Sequence, residues 1–301
     1  MQYTILNNGI KMPMVGFGVF QIHDAKTTQT VVEEAIKTGY RLIDTAQVYG
    51  NEEAVGKAIK ASGVPRDELF ITTKLWISDF SYEAAKDAFN ESLRKLDLDY
   101  VDLYLLHQPF GDIFGAWRAL EELYKEGKIK AIGVSNFKPD QLTNLAAFNE
   151  VTPAVNQIEL HVFNQKEDEQ AYMLSKGVQT ESWGAFAEGQ FDVFNNPVLK
   201  EIAEKQQHKL CFVGSCNVAL SPFQNQPIQN VSVKTLTSLI LNYQQKIWTK
   251  LRLLTRTQLS SRIITKLKQL NFWQALLGNH FNRYKVWYIR RKWNDNIIYK
   301  R

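Results

Sequence analysis

Along residues 1–209 the apolar positions switch between two periods. Short, nearly continuous apolar runs alternate with longer stretches in which apolar residues recur every three to four positions. The first pattern fits a strand covered on both faces, the second an amphipathic helix. TILNNGIKM predicts a β-hairpin turning at Asn8-Gly9, and MVGFGVF a first barrel strand. TTQTVVEEAIKTG predicts a helix stopped by Gly39. RLIDTA, FITTKLW, YVDLYLLH, KAIGVSNF, AVNQIEL and VQTESW predict six more strands. NEEAVGKAIKASG, SYEAAKDAFNESLRKLD, FGAWRALEELYKEG, PDQLTNLAAF, EDEQAYMLS and NPVLKEIAEK predict the helices that follow them. Seven strand–helix units at intervals of roughly 23–31 residues imply a parallel sheet, and eight would close a barrel. An eighth unit is due near residue 210, but there both periods vanish.

Charge divides the chain at the same place. Of 36 basic residues, 15 follow residue 209; of 31 acids, only Asp295 does. The first 209 residues therefore hold 21 bases against 30 acids, so the net charge of +5 conceals an acidic protein joined to a basic tail. Such a tail raises the possibility of binding nucleic acid or an anionic membrane. The two cysteines, Cys211 and Cys216, offer no zinc-ligand spacing and fit a reduced compartment. No run is long enough to span a bilayer, and MQYTILNNGIKMP lacks a basic start and an apolar signal core, so the expected location is cytoplasmic.

The chemistry lies where the apolar runs stop. In a closed βα barrel, functional side chains occupy the C-terminal ends of strands. Asp44, Lys74 and His107 fall at three such ends, and Tyr49 lies in the loop after the first. A phenol beside an ammonium is expected to become a stronger acid than its reference value of about 10 and to donate a proton near neutral pH. Asp44 would hold and balance the ammonium, and His107 would orient a carbonyl. The GFG at 16–18 lacks the third glycine of a dinucleotide fingerprint, which excludes a Rossmann reading. His23 and His161 read as surface or packing residues, and Glu52 as a cap of the helix it begins.

GFGVFQ, GYRLIDTAQVYGNEEAVGKAI, LFITTKLW, YVDLYLLHQP, GKIKAIGVSNF and VNQIELH resemble, in order, the sequence blocks of the aldo-keto reductases. The likeness covers about residues 3–209 and is nearest to the bacterial branch acting on diketo-gluconates and methylglyoxal. It implies an α/β fold, a (β/α)8 TIM-type barrel with an N-terminal β-hairpin, and NADPH-dependent reduction of aldehydes and ketones. By position, Tyr49 becomes the proton donor, Lys74 its activator, Asp44 the partner of Lys74 and His107 the carbonyl orienter. Ser135, Asn136 and Gln157 become binders of the nicotinamide carboxamide, with Trp183 stacked on its ring. Phe20, Gln47, Trp76 and Phe110 become the substrate-pocket wall. No metal is implied, and the partner is a small carbonyl substrate rather than nucleic acid or membrane; the oligomeric state stays open, a monomer included.

The resemblance fails where the periods vanish. The family continues with an eighth strand, then a Lys-Ser pair, an Arg and a Glu-Asn pair for the adenine end of the cofactor. This chain has SPFQNQPIQNVSVKT. Under permitted codons, skipping two nucleotides turns Ser221–Thr235 into PIPKSAHPERIREN, which resembles the missing segment. The same register can turn Cys211–Pro222 into LRWFMQRGVVPI and Leu236–Thr255 into FDIFDFELSAEDMDKITALD. The expectation is a small deletion near codons 206–211, an eighth unit missing or scrambled, and a tail over 210–301 read out of frame with no predictable fold. An impaired enzyme follows. The competing readings are a non-catalytic barrel subunit and a basic-tail interaction protein.

Overall fold

The computed structural model describes residues 1–199. A two-stranded antiparallel hairpin, β1 (Tyr3–Ile5) and β2 (Lys11–Pro13), precedes the main sheet. Its loop is one residue longer than an Asn-Gly two-residue turn. Gly9 N–H bonds Leu6 O at 2.9 Å, Leu6 N–H bonds Ile10 O at 2.9 Å, and Gly9 takes the left-handed conformation at φ +86°.

Seven parallel strands follow in sequence order: β3 (Gly16–Gly18), β4 (Leu42–Asp44), β5 (Phe70–Leu75), β6 (Val101–Leu106), β7 (Ile129–Ser135), β8 (Val155–Glu159) and β9 (Gln179–Trp183). Helices α1 (Ala25–Lys37), α2 (Glu52–Ala61), α3 (Tyr82–Leu96), α4 (Ile113–Lys125), α5 (Pro139–Ala147) and α6 (Glu167–Ser175) connect consecutive strands. The starts of α1 and α4 are fixed by side chains that satisfy free backbone N–H groups. Asp24 accepts from Thr27 N–H at 2.8 Å, and Asp112 from Gly115 N–H at 2.8 Å. All seven strands fall on predicted runs. The helix expected after β9 extends beyond the described residues, as do the eighth unit and the tail.

The sheet is curled. Gln157 on β8 donates to Asp44 on β4 at 2.9 Å, although the two strands are four steps apart. In a flat sheet four steps are about 19 Å, so the inner face must wrap onto itself. Strand periodicity then sorts the side chains. Ile71, Tyr104, Ile132 and Ile158 face outward into one core with Val55, Phe89 and Trp117 of the helices. Leu42, Phe70, Leu103, Leu105 and Val155 face inward, where Leu6 and Met12 of the hairpin join them in a second core. Above that apolar floor the inward positions turn polar, and this is where the site lies.

Candidate active site

Each of the four central residues stands where its strand ends. Asp44 is the last residue of β4, Lys74 the penultimate residue of β5, and His107 follows β6 directly. Tyr49 closes a short 3-10 turn, Gln47–Tyr49, after β4. The Lys74 ammonium is fully buried and lies 2.5 Å from Asp44 Oδ1, 3.0 Å from Thr45 O and 3.5 Å from the Tyr49 hydroxyl. The His107 ring meets Tyr49 edge-on at 5.6 Å and Trp76 at 5.1 Å between centroids. Residues separated by up to 63 positions in sequence thus share one small volume at the rim.

The electrostatics differ from the sequence expectation in one respect. Burial raises the Tyr49 phenol above its ordinary value of 10.0; Lys74 pulls the other way, while Asp44 adds to the rise, as an ionised Glu181 would. The neighbouring ammonium was expected to leave the phenol more acidic than usual, and desolvation outweighs it. Tyr49 is therefore fully protonated at neutral pH. For Lys74, burial acts downward but Asp44 and Tyr49 more than offset it, so the ammonium persists. His107 is driven well below 6.5 by burial and then by Lys74, leaving a neutral imidazole. Its Nδ1 is buried with no hydrogen-bond partner among the described residues.

A second polar group adjoins the first. Ser135 ends β7 and donates to Gln157 O at 2.9 Å. Asn136, held at φ +65°, donates to His107 O at 3.2 Å and to Ser135 Oγ at 3.1 Å, and accepts from the Trp183 indole N–H at 2.8 Å. A left-handed conformation is tolerated best by Asn among non-glycine residues. Ser135, Asn136, Gln157 and Trp183 therefore form one hydrogen-bonded patch touching both Asp44 and His107. Its amides and hydroxyl match the donor and acceptor needs of a carboxamide, and the indole offers a flat apolar face. These residues fit a nicotinamide.

The pocket wall is less uniform. Phe20 packs on Tyr49 at 5.0 Å and Trp76 on His107, while Phe110 is 54% exposed. Gln47, expected to face substrate, is engaged at both ends of its amide. Its oxygen accepts from Trp76 N–H at 2.9 Å, and its nitrogen donates to Asp79 at 2.7 Å. It ties the Tyr49 turn to the loop after β5. Glu52 departs from expectation: its side chain is buried and accepts from the Thr73 hydroxyl at 2.7 Å instead of capping α2. Of the two histidines outside the site among the described residues, His161 is buried in a bond to Glu159 at 3.0 Å and His23 is exposed. Sequence reasoning passed over Glu181, buried on β9 beside this constellation. The available signal was its alternation with Gln179 and Trp183, which gives an acid an inward position.

Comparison with known proteins bears on the family and the fold. The sequence model of the Aldo/keto reductase family matches residues 14–257, a span that runs past residue 209. Glyoxal reductase of Bacillus subtilis (strain 168) is 47% identical over 209 residues, covering 69% of this chain and 75% of that one. Methylglyoxal reductase DkgA of Escherichia coli (strain K12) is 45% identical over 203 residues, covering 66% and 73%. An aldo/keto reductase from Brucella melitensis superposes with a TM-score of 0.68 at 40% identity, over 74% of this chain and 89% of that one. One from Bombyx mori, solved in complex with NADP, gives 0.65 at 33% identity, over 68% and 76%. By sequence, by sheet topology and by these relatives, the chain belongs to the aldo/keto reductase family of carbonyl-reducing oxidoreductases.

Proposed function

We propose that residues 1–209 are the reductase barrel of an NADPH-dependent enzyme that reduces small aldehydes and ketones, α-dicarbonyls such as methylglyoxal among them, with Tyr49 as proton donor. The observation that carries this reading is the Asp44–Lys74–Tyr49 contact chain, 2.5 Å and then 3.5 Å long, beside a neutral His107. A non-catalytic barrel has no need of a buried ammonium aimed at a phenol.

Ser135, Asn136 and Gln157 would hold the carboxamide of the cofactor and Trp183 its ring. Bound there in reduced form, the nicotinamide supplies the hydride. His107 and Tyr49 together direct hydrogen-bond donors at the substrate oxygen, where negative charge develops. Tyr49 starts protonated and gives its proton to that oxygen, completing the alcohol. Lys74 stabilises the phenolate left behind, and Asp44 keeps Lys74 fixed and charged. The half-buried Tyr49 then regains a proton from solvent. Phe20, Trp76 and Phe110 present an aromatic wall suited to compact, weakly polar substrates. The names of the Bacillus and Escherichia relatives and the NADP complex of the Bombyx protein support the substrate class and cofactor.

This particular chain is read as impaired. The adenine-side pattern of the family is absent from SPFQNQPIQNVSVKT, and 210–301 is read as out-of-frame sequence. Contacts to charged phosphate are worth about 1.5–3 kcal/mol each, so losing two or three weakens NADPH binding by several powers of ten. The test is NADPH oxidation with methylglyoxal, measured for this chain and for a frame-restored version. Turnover is expected in the restored protein and abolished by Tyr49→Phe. A restored enzyme indifferent to that substitution would overturn the site assignment. Equal turnover by the unrestored chain would overturn the impairment.

A further inference from the structure

Glu181 is a buried acid that the steps above leave unused. It is 2% exposed, and its Cα registers against Gln157 in the β8–β9 ladder, which turns both side chains into the barrel. Gln157 donates to Asp44 Oδ2 at 2.9 Å and stands beside Glu181 in the ladder, so one amide adjoins two carboxyl groups. Glu181 Oε2 has no partner among the described residues. Asp44 from β4, Lys74 from β5 and the Tyr49 turn supply the charged and titratable groups near it. The inward neighbours from β6 and β7 include Leu105 and Gly133, which carry no charge. Two carboxyl groups therefore face a single ammonium that is already bound to Asp44, to Thr45 O and to Tyr49.

We propose that Glu181 serves the reductase site as an uncharged carboxylic acid: a positioning residue that fixes the Gln157 amide and leaves Lys74 to Asp44 and Tyr49 alone. The role rests on the reductase reading of the site. An ionised Glu181 would add a second negative charge around Lys74 and raise the proton affinity of Tyr49, opposing the proton transfer that Lys74 assists. A protonated Glu181 removes that opposition. It can still accept from Gln157 through its carbonyl oxygen, which keeps the amide oriented. Burial first, then Asp44, push this carboxyl up to about 8, in keeping with a neutral acid at physiological pH.

The test is infrared difference spectroscopy on the full chain, unaltered and as Glu181→Gln. A protonated-carboxyl stretch is expected near neutral pH and is lost as the pH passes about 8. That component must be missing from the variant, because Glu52, also pushed up by burial, contributes a band of its own. The thermal midpoint supplies a second readout. A carboxyl raised in the folded state stabilises it fully below its unfolded range, and that stability is lost as the pH rises through about 8. Glu181→Gln, which mimics the protonated acid, is expected to fold and to lose this decline, which runs from about 4.5 up to about 8. The proposal is overturned if the band difference is absent or if both proteins lose stability with pH in parallel. A variant that fails to fold, beside an unaltered chain showing no pH-sensitive carboxyl band, overturns it too. None of these readouts needs turnover, so they stand or fall apart from the Tyr49→Phe assay.

Discussion

Lys74 has no contact with solvent, so its charge must be balanced inside the barrel. Removing one partner of a buried ion pair strands the other, which costs about 3–5 kcal/mol, whereas removing both together costs far less. Lys74→Met is therefore expected to lower the urea midpoint of unfolding by the equivalent of about 3–5 kcal/mol. Asp44→Asn combined with Lys74→Met should regain most of that loss, and neither protein should reduce a carbonyl after frame restoration. Independent losses in the two single variants that simply add in the double would show that the pair is uncoupled. His107 yields a prediction of opposite sign to that for Glu181. Its folded-state proton affinity lies well below 6.5, so the unfolded chain takes up a proton first. Stability is then full above about 6.5 and falls as the medium is acidified, by at most about 1.4 kcal/mol per pH unit until the folded value is reached. Denaturation curves of His107→Gln should show a flatter acid limb. The positions of Asp44, Tyr49, Lys74 and His107 were legible in sequence because strand ends are. The proton affinity of Tyr49 was not, because adjacent residues reveal a nearby cation but not how much water folding removes.

At the scale of elements, the site depends on how the 3-10 turn Gln47–Tyr49 is tied down. Gln47 joins it to Trp76 N–H and to Asp79, and nothing in a three-residue turn carries a period that a sequence reader could detect. Gln47→Leu leaves both partners unsatisfied and is expected to cost about 1–3 kcal/mol. Hydrogen exchange should quicken at residues 46–51 and 76–80 while the floor strands keep their protection; uniform quickening would mean that the side chain is merely part of the global fold. The helix layer has its own close contact. A Cβ on Gly56 of α2 would come within 2.3 Å of Leu96 O at the end of α3, a backbone atom that cannot rotate away. Gly56→Ala should therefore destabilise, by about 1–3 kcal/mol of overpacking, despite the better helix propensity of alanine. An unchanged denaturation midpoint would show that α2 shifts freely. Helix and strand order was legible because each element is long enough to repeat its period, and Gly39 and Gly127, at φ +107° and +78°, mark helix ends as their sequence positions suggest. The partners of Glu52 were not legible. Its place at a helix start suggested a cap, whereas the side chain reaches across to Thr73 on the outward face of β5.

For the whole molecule the question is closure. Among the described residues β3 and β9 are the two ends of the sheet, each paired on one side only. A parallel barrel is stable because every strand is bonded on both sides and its interior is sealed, and an open edge invites pairing with another chain. The family's eighth strand comes from the sequence that follows the seventh helix, which is where this chain loses its periodicity and its acids. Pairwise similarity is limited in the same way: a quarter of the Bacillus glyoxal reductase lies outside its alignment with this chain. On the proposed out-of-frame reading of 210–301, a frame-restored version would carry LRWFMQRGVVPI as a strand candidate and PIPKSAHPERIREN as a basic, anion-binding segment. It should do two separable things. Closing the barrel should raise the unfolding temperature and suppress concentration-dependent aggregation with no ligand present. Supplying the phosphate anchors should add a further, NADPH-dependent rise, since a ligand that binds only the folded state stabilises it by about 2.7 kcal/mol at a hundred times its Kd. Thermal scans of both proteins with and without NADPH read the two effects independently. An unrestored chain that already shows the full ligand-dependent rise would mean that residues 210–301, as they stand, complete the enzyme.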